Sequence, residues 1–144
     1  HFVKDAHGLR QFDGSALYEN VDESEWGTLY FDYSRVANQT FFLSSVAYWI
    51  EMCHIDGLRM DAVSHLIYYQ GNRDHGVNEP GIHFLKTMNA CLKANYPTVM
   101  LIAEDSSDYG KVTHPVADGG LGFDYKWDLV WMNDTLRYYM LDKE

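Results

Sequence analysis

Gly57-Leu58-Arg59-Met60-Asp61, read together with Val99-Met100-Leu101-Ile102-Ala103-Glu104, decides the fold. Each stretch is a short apolar run ending in a carboxylate, and between them Phe84, Leu85, Met88, Cys91 and Leu92 recur at helical spacing. Strand, helix, strand is a βαβ unit. Its two strands lie parallel and end on the same side of the sheet, so Asp61 and Glu104 are expected to face one cleft. Two carboxylates on one rim suit glycosidic-bond chemistry, in which one attacks or stabilises the anomeric carbon and the other protonates the departing oxygen. Arg59 lies two residues before Asp61 on the same strand and therefore points to the same face. Its guanidinium is expected to hold Asp61 ionised and leave Glu104 to carry the proton.

Composition narrows the classes around that reading. A chain of 144 residues accommodates one domain with a real core, but not a complete eight-fold α/β barrel, which needs about 250 residues. The net charge of −10, from 21 acidic and 11 basic residues, argues against a nucleic-acid partner, whose phosphates require Lys and Arg. A neutral ligand fits better, and the many Tyr and Trp residues suit stacking on sugar rings as well as core packing. No apolar run is long enough to span a membrane. The histidines have no metal-ligand spacing, so no metal is expected. Cys53 and Cys91 fall on apolar stripes of expected helices and read as buried free thiols of a reducing compartment, which points to a cytoplasmic location.

In chain order, residues 1–26 read as irregular, with no sustained period. A helix is expected from Asn38, as a cap, through Cys53. A strand then runs from Ile55 to Met60, with Gly57 allowing close backbone approach. A polar loop from Ala62 to Gly81 follows, where substrate selectivity would reside in a barrel. The helix over Phe84 to Leu92 is stopped by Pro97, which pushes Tyr96 out of helical geometry. The run Val99 to Ala103 is continuously apolar, as in a strand buried on both faces. A third strand is expected over about 122–125, and a last helix capped by Asn133 or Asp134.

The same residues carry a resemblance. Gly57-Leu58-Arg59-Met60-Asp61-Ala62-Val63 resembles the nucleophile motif of the alpha-amylase superfamily, and Leu101-Ile102-Ala103-Glu104-Asp105-Ser106-Ser107 resembles its acid/base motif. Phe12-Asp13-Gly14, Ala47-Tyr48-Trp49-Ile50-Glu51, and Gly119-Gly120-Leu121-Gly122-Phe123 through Trp131-Met132-Asn133-Asp134 are similar to stretches of the glycogen branching enzymes within it. The resemblance implies that residues 1–144 are the central fragment of one catalytic (β/α)8 TIM barrel, an α/β fold with about three parallel strands here and no complete second domain. It implies Asp61 as nucleophile, Arg59 as its partner and Glu104 as general acid/base of a retaining glycosyl transfer on alpha-1,4-glucans that forms alpha-1,6 branches, with no cofactor.

His1 resembles the histidine that closes the family's first motif and would contact the donor sugar. His65 stands where amylase-type hydrolases commonly carry a histidine and branching enzymes a small or apolar residue, which makes it a candidate acceptor-side contact. The family's transition-state-stabilising aspartate lies on a later strand and is not in this chain. Two alternatives follow: an alpha-glucan hydrolase of the same superfamily, or a fragment that by itself binds glucan without catalysis. Such a fragment leaves sheet edges and apolar faces uncovered and is expected to self-associate.

Overall fold

The computed structural model describes residues 2–5, 7, 8 and 10–141. The chain divides into two compact units, His1–Val46 and Ala47–Glu144.

The first unit contains an antiparallel hairpin, Glu19–Glu23 (β1) with Leu29–Phe31 (β2), where the sequence reads as irregular. The segment ENVDE offers no apolar alternation, so its pairing is set by the turn and the partner strand. Ser24 N donates to Thr28 O at 2.8 Å, and Gly27 takes φ +69°, which glycine adopts without a Cβ penalty. Phe31 packs against Phe2 and, edge-on, against Phe42, with ring centroids 4.5 and 4.6 Å away. Glu19 is buried and accepts the Gln11 and Tyr18 N–H groups at 2.9 and 3.2 Å. Burial works to raise its pKa, but these donors outweigh burial and hold the carboxyl below the usual glutamate range.

Helix α1 runs from Val36 to Cys53. Asn38 is therefore inside the helix rather than its cap. Buried, it donates from Nδ2 to the carbonyls of Tyr18 and Asp32, both at 2.9 Å, so its polarity serves the preceding loop.

The second unit is built on three parallel strands in the order β3 (Gly57–Met60), β4 (Met100–Asp105), β5 (Tyr125–Asp128). Gly57 pairs with Met100 and Met60 with Ala103; Ile102 pairs with Tyr125 and Asp105 with Asp128. A Cβ on Gly57 would sit 3.2 Å from Met100, in keeping with the close approach expected there. The connection from β3 to β4 contains a short helix α2 (Ser64–Ile67), two single-turn 3-10 segments and helix α3 (Glu79–Asn95). Helix α3 begins before Phe84 because Asn78 accepts from Gly81 N and Pro80 suits the first turn. It stops at Tyr96, ahead of Pro97, as expected.

Strand β5 lies further along the chain than the expected 122–125, and helix α4 (Leu129–Met140) follows it directly. The cap is Asp128, which accepts from Val130 N and Trp131 N, and not Asn133 or Asp134.

Two burial expectations are corrected. Strand β4 alternates: Leu101, Ala103 and Asp105 are buried, while Ile102 and Glu104 are only half-buried on the other face. The cysteines are free but exposed. On α3 the buried stripe is Ile82, Phe84, Leu85, Met88, Asn89 and Leu92, so Cys91 falls outside it. Asn89 takes an interior place by donating to Leu121 O at 2.8 Å.

The buried face of β4 also carries a charge. Asp105, with no solvent exposure, accepts from Ser107 N and Ser107 Oγ at 3.1 and 3.0 Å and meets Lys126 Nζ at 3.1 Å. A buried carboxylate so satisfied is structural, and removing it strands the lysine. Asp105→Ala is expected to destabilise the folded domain by about 3 kcal/mol, read as a lowered denaturation midpoint of the full-length protein; an unchanged midpoint would contradict this role.

Candidate active site

Parallel pairing brings the site together. Side chains alternate along each strand, so Arg59 on β3, Ile102 and Glu104 on β4, and Tyr125 and Trp127 on β5 share the open face, while Asp105 points away. Asp61 follows β3 immediately at its C-terminal end.

One nitrogen joins the two acids. Arg59 Nη2 lies 3.0 Å from Asp61 Oδ1 and 2.7 Å from Glu104 Oε2. The two carboxylate oxygens are thus no farther apart than those two distances laid end to end. This compares with the carboxyl separation of about 5 to 5.5 Å in retaining glycosidases. The expectation that Arg59 pairs with Asp61 alone is corrected: its guanidinium bridges both acids. The acids differ in setting: the Asp61 side chain is 60% exposed and that of Glu104 19%.

Three contacts were not foreseen from the sequence. The Arg59 guanidinium carbon lies 4.8 Å from the centroid of the Trp127 ring, a cation–π contact that reaches across β4 and fixes the guanidinium plane. The alternation Phe123, Tyr125, Trp127 carries the signal for it, but a strand ended at residue 125 leaves Trp127 out. Ala62 N donates to Glu104 Oε2 at 3.1 Å, and Val63 N donates to Glu104 O at 2.9 Å; backbone donors of this kind leave no trace in residue identity.

The loops after β3 and β4 are stitched together beyond the carboxylates. Asp108 accepts from Arg73 Nη1 at 2.6 Å and from the Tyr68 hydroxyl at 3.4 Å, and Ser106 Oγ donates to Ser64 Oγ at 3.3 Å. Burial, and then the Asp108 carboxylate beside it, raises the pKa of the Tyr68 phenol and keeps it a donor. The Arg73–Asp108 pair is mostly exposed and contributes position more than stability.

His65 sits on α2 with Nδ1 3.2 Å from Ser64 Oγ, and its ring occupies the space a side chain on Gly71 would need. His1, the other sequence-derived sugar contact, lies outside the described residues.

Residues 13–135 match the family model of the alpha-amylase catalytic domain. The chain belongs to the alpha-amylase family. Among its relatives, a protein of Fusobacterium nucleatum named 1,4-alpha-glucan branching enzyme GlgB is 51% identical over 146 residues, covering 99% of this chain and 24% of that protein. Proteins of the same name from Nitrosococcus oceani and Bacillus subtilis are 48% and 46% identical, covering 99% and 96% of the chain and 21% and 23% of their own lengths. The chain therefore spans about a quarter of the length of these alpha-amylase family relatives.

The bridging role of Arg59 is open to a direct check. With Arg59→Ala the two carboxylates lose their shared donor and repel. A crystal structure of that variant of the full-length protein is expected to show the two carboxylates farther apart than in the native protein. Carboxylates that stay together without the guanidinium would show that the backbone alone sets the pair.

Proposed function

We propose that this chain is the central part of a 1,4-alpha-glucan branching enzyme and that its rim carries a retaining double displacement. The observation that carries the reading is the pair Asp61 and Glu104 held on one guanidinium nitrogen at the C-terminal ends of adjacent parallel strands. Asp61, open to solvent, attacks the anomeric carbon of an alpha-1,4-linked glucan. Glu104 protonates the departing oxygen, and a glycosyl ester on Asp61 results. Glu104, now ionised, takes the proton from the 6-hydroxyl of an acceptor chain, which attacks the ester and leaves an alpha-1,6 branch. Arg59 orients both acids, and His65 and His1 contact sugar on the two sides of the scissile bond.

The fold supports the same assignment at a coarser level. Three parallel strands with α3 in the crossover and long loops after the strand ends are what a segment of an eight-stranded α/β barrel contributes. The remaining strands supply the other wall of the cleft and the later aspartate. Tyr125 and Trp127, both more than half exposed on the open face, then become interior to the barrel. Without those strands the face favours self-association over glucan cleavage.

The names of the relatives favour transfer over the hydrolase alternative, and glycogen or amylose chains are the substrate class this implies. No helix of the described residues is long and apolar enough to cross a membrane. The two free thiols suit the cytoplasm, where glucan stores are built.

The test uses the full-length protein and amylose. New alpha-1,6 linkages are expected with the native sequence. Asp61→Asn is expected to lower their formation by at least about 10³-fold with little change in melting temperature, because an exposed cleft carboxylate contributes chemistry and not packing. Shortened chains without branches would identify a hydrolase, and near-normal turnover by the Asn variant would remove Asp61 from the nucleophile role.

A further inference from the structure

Ala62 adopts φ +49°, in the left-handed region that a residue with a Cβ seldom occupies. It stands directly after Asp61, and Val63 beyond it returns to right-handed geometry, φ −59° and ψ −29°. A left-handed residue next to a right-handed one turns successive N–H groups toward one side, making a concavity that holds an anion. Glu104 fills that concavity: Ala62 N–H reaches its Oε2 and Val63 N–H its main-chain oxygen. Val63 is fully buried and anchors the turn.

Oε2 of Glu104 thus accepts the Ala62 N–H at 3.1 Å and lies 2.7 Å from Arg59 Nη2 in an ion pair. Both of these contacts fall on Oε2 and not on Oε1. A proton on the oxygen that already faces an N–H donor and a guanidinium would meet positive charge from both, so the other carboxyl oxygen is the favoured place for it.

We infer that Ala62 is a positioning residue for the acid/base step: by occupying Oε2 together with Arg59, its backbone N–H assigns the transferable proton of Glu104 to Oε1 and aims that oxygen at the leaving group. The inference rests on the roles proposed above for Asp61 and Glu104. In the first step the glycosidic C1–O bond breaks and its electron pair stays with the oxygen. That oxygen takes the proton from Glu104 Oε1, and a carboxylate oxygen of Asp61 forms the new bond to C1. In the second step Oε1 receives the acceptor hydroxyl proton as the C1–ester bond is replaced. The hydrogen bonds of Ala62 and Val63 to Glu104 and the burial of Val63 hold Ala62 in this strained conformation.

The experiment compares two substrates in the full-length protein. Amylose has a leaving oxygen that needs a proton, whereas α-maltooligosyl fluoride releases fluoride without one. Replacing Ala62 by L-lactic acid exchanges its N–H for an ester oxygen and keeps the side chain. This change is expected to lower the cleavage rate on amylose by at least about tenfold while the burst of fluoride release falls by less than about threefold. Ala62→Val, whose branched side chain resists the left-handed region, is expected to show the same split, and Ala62→Gly to recover most of the loss. Equal losses on both substrates, or an undiminished amylose rate in the ester variant, would overturn the assignment. A parent protein that cleaves amylose but forms no branches would refute the branching reading alone, because both substrates report only on cleavage by Asp61 and Glu104.

Discussion

Two carboxylates brought onto one nitrogen would repel each other were the nitrogen not cationic. Arg59 supplies that charge, and the placement of the elements around it follows from keeping its guanidinium in place. Strand β3 delivers its stem, and the Trp127 ring on β5 lies against its plane. Between them β4 presents Glu104 at 2.7 Å. A lysine could bring the charge to both acids, but not the planar, weakly hydrated guanidinium that also lies over the Trp127 ring.

The fold gives this cluster its precision through parallel register. Arg59 and Glu104 share a face because Arg59 pairs with Ile102, two residues before Glu104. The adjacent Asp105 goes to the opposite face, where Lys126 and Ser107 satisfy it inside the core. Two neighbouring acids in the sequence thus take opposite faces of the sheet, and the pleat alone separates them. A slip of one residue between β3 and β4 would exchange them, and the buried charge that resulted would be costly. The structural ion pair on one face thereby helps to hold Arg59, Asp61 and Glu104 in register on the other.

Much of this was legible in the residues. The two apolar runs, each ending in an acid with a helical stripe between, give the parallel βαβ unit and the convergence of Asp61 and Glu104. What could not be read has physical reasons. The hairpin over Glu19 to Phe31 lacks an apolar period in its first strand and depends on its turn and partner. Asn38 and Asn89 are polar residues in interior places, each admitted by hydrogen bonds to carbonyls distant in sequence, and Asn89 accompanies the displacement of Cys91 to the surface. Asp128, Asn133 and Asp134 are all competent caps; tertiary pairing of β5 selects the first. The bridging character of Arg59 and the backbone donors of Ala62 and Val63 depend on dihedral angles and on proximity across strands, which residue identity does not encode.

The proposed attachment of sugar to Asp61, with Glu104 managing protons, is open to direct observation. The most direct measurement is to incubate the Glu104→Gln variant of the full-length protein with α-maltooligosyl fluoride, digest it and locate any bound glucan by mass spectrometry. Fluoride leaves without acid assistance, and the variant lacks the base needed to release the ester, so the account predicts a maltooligosyl adduct on the peptide that contains Asp61. Fluoride release with no adduct, or an adduct on a different residue, would contradict it.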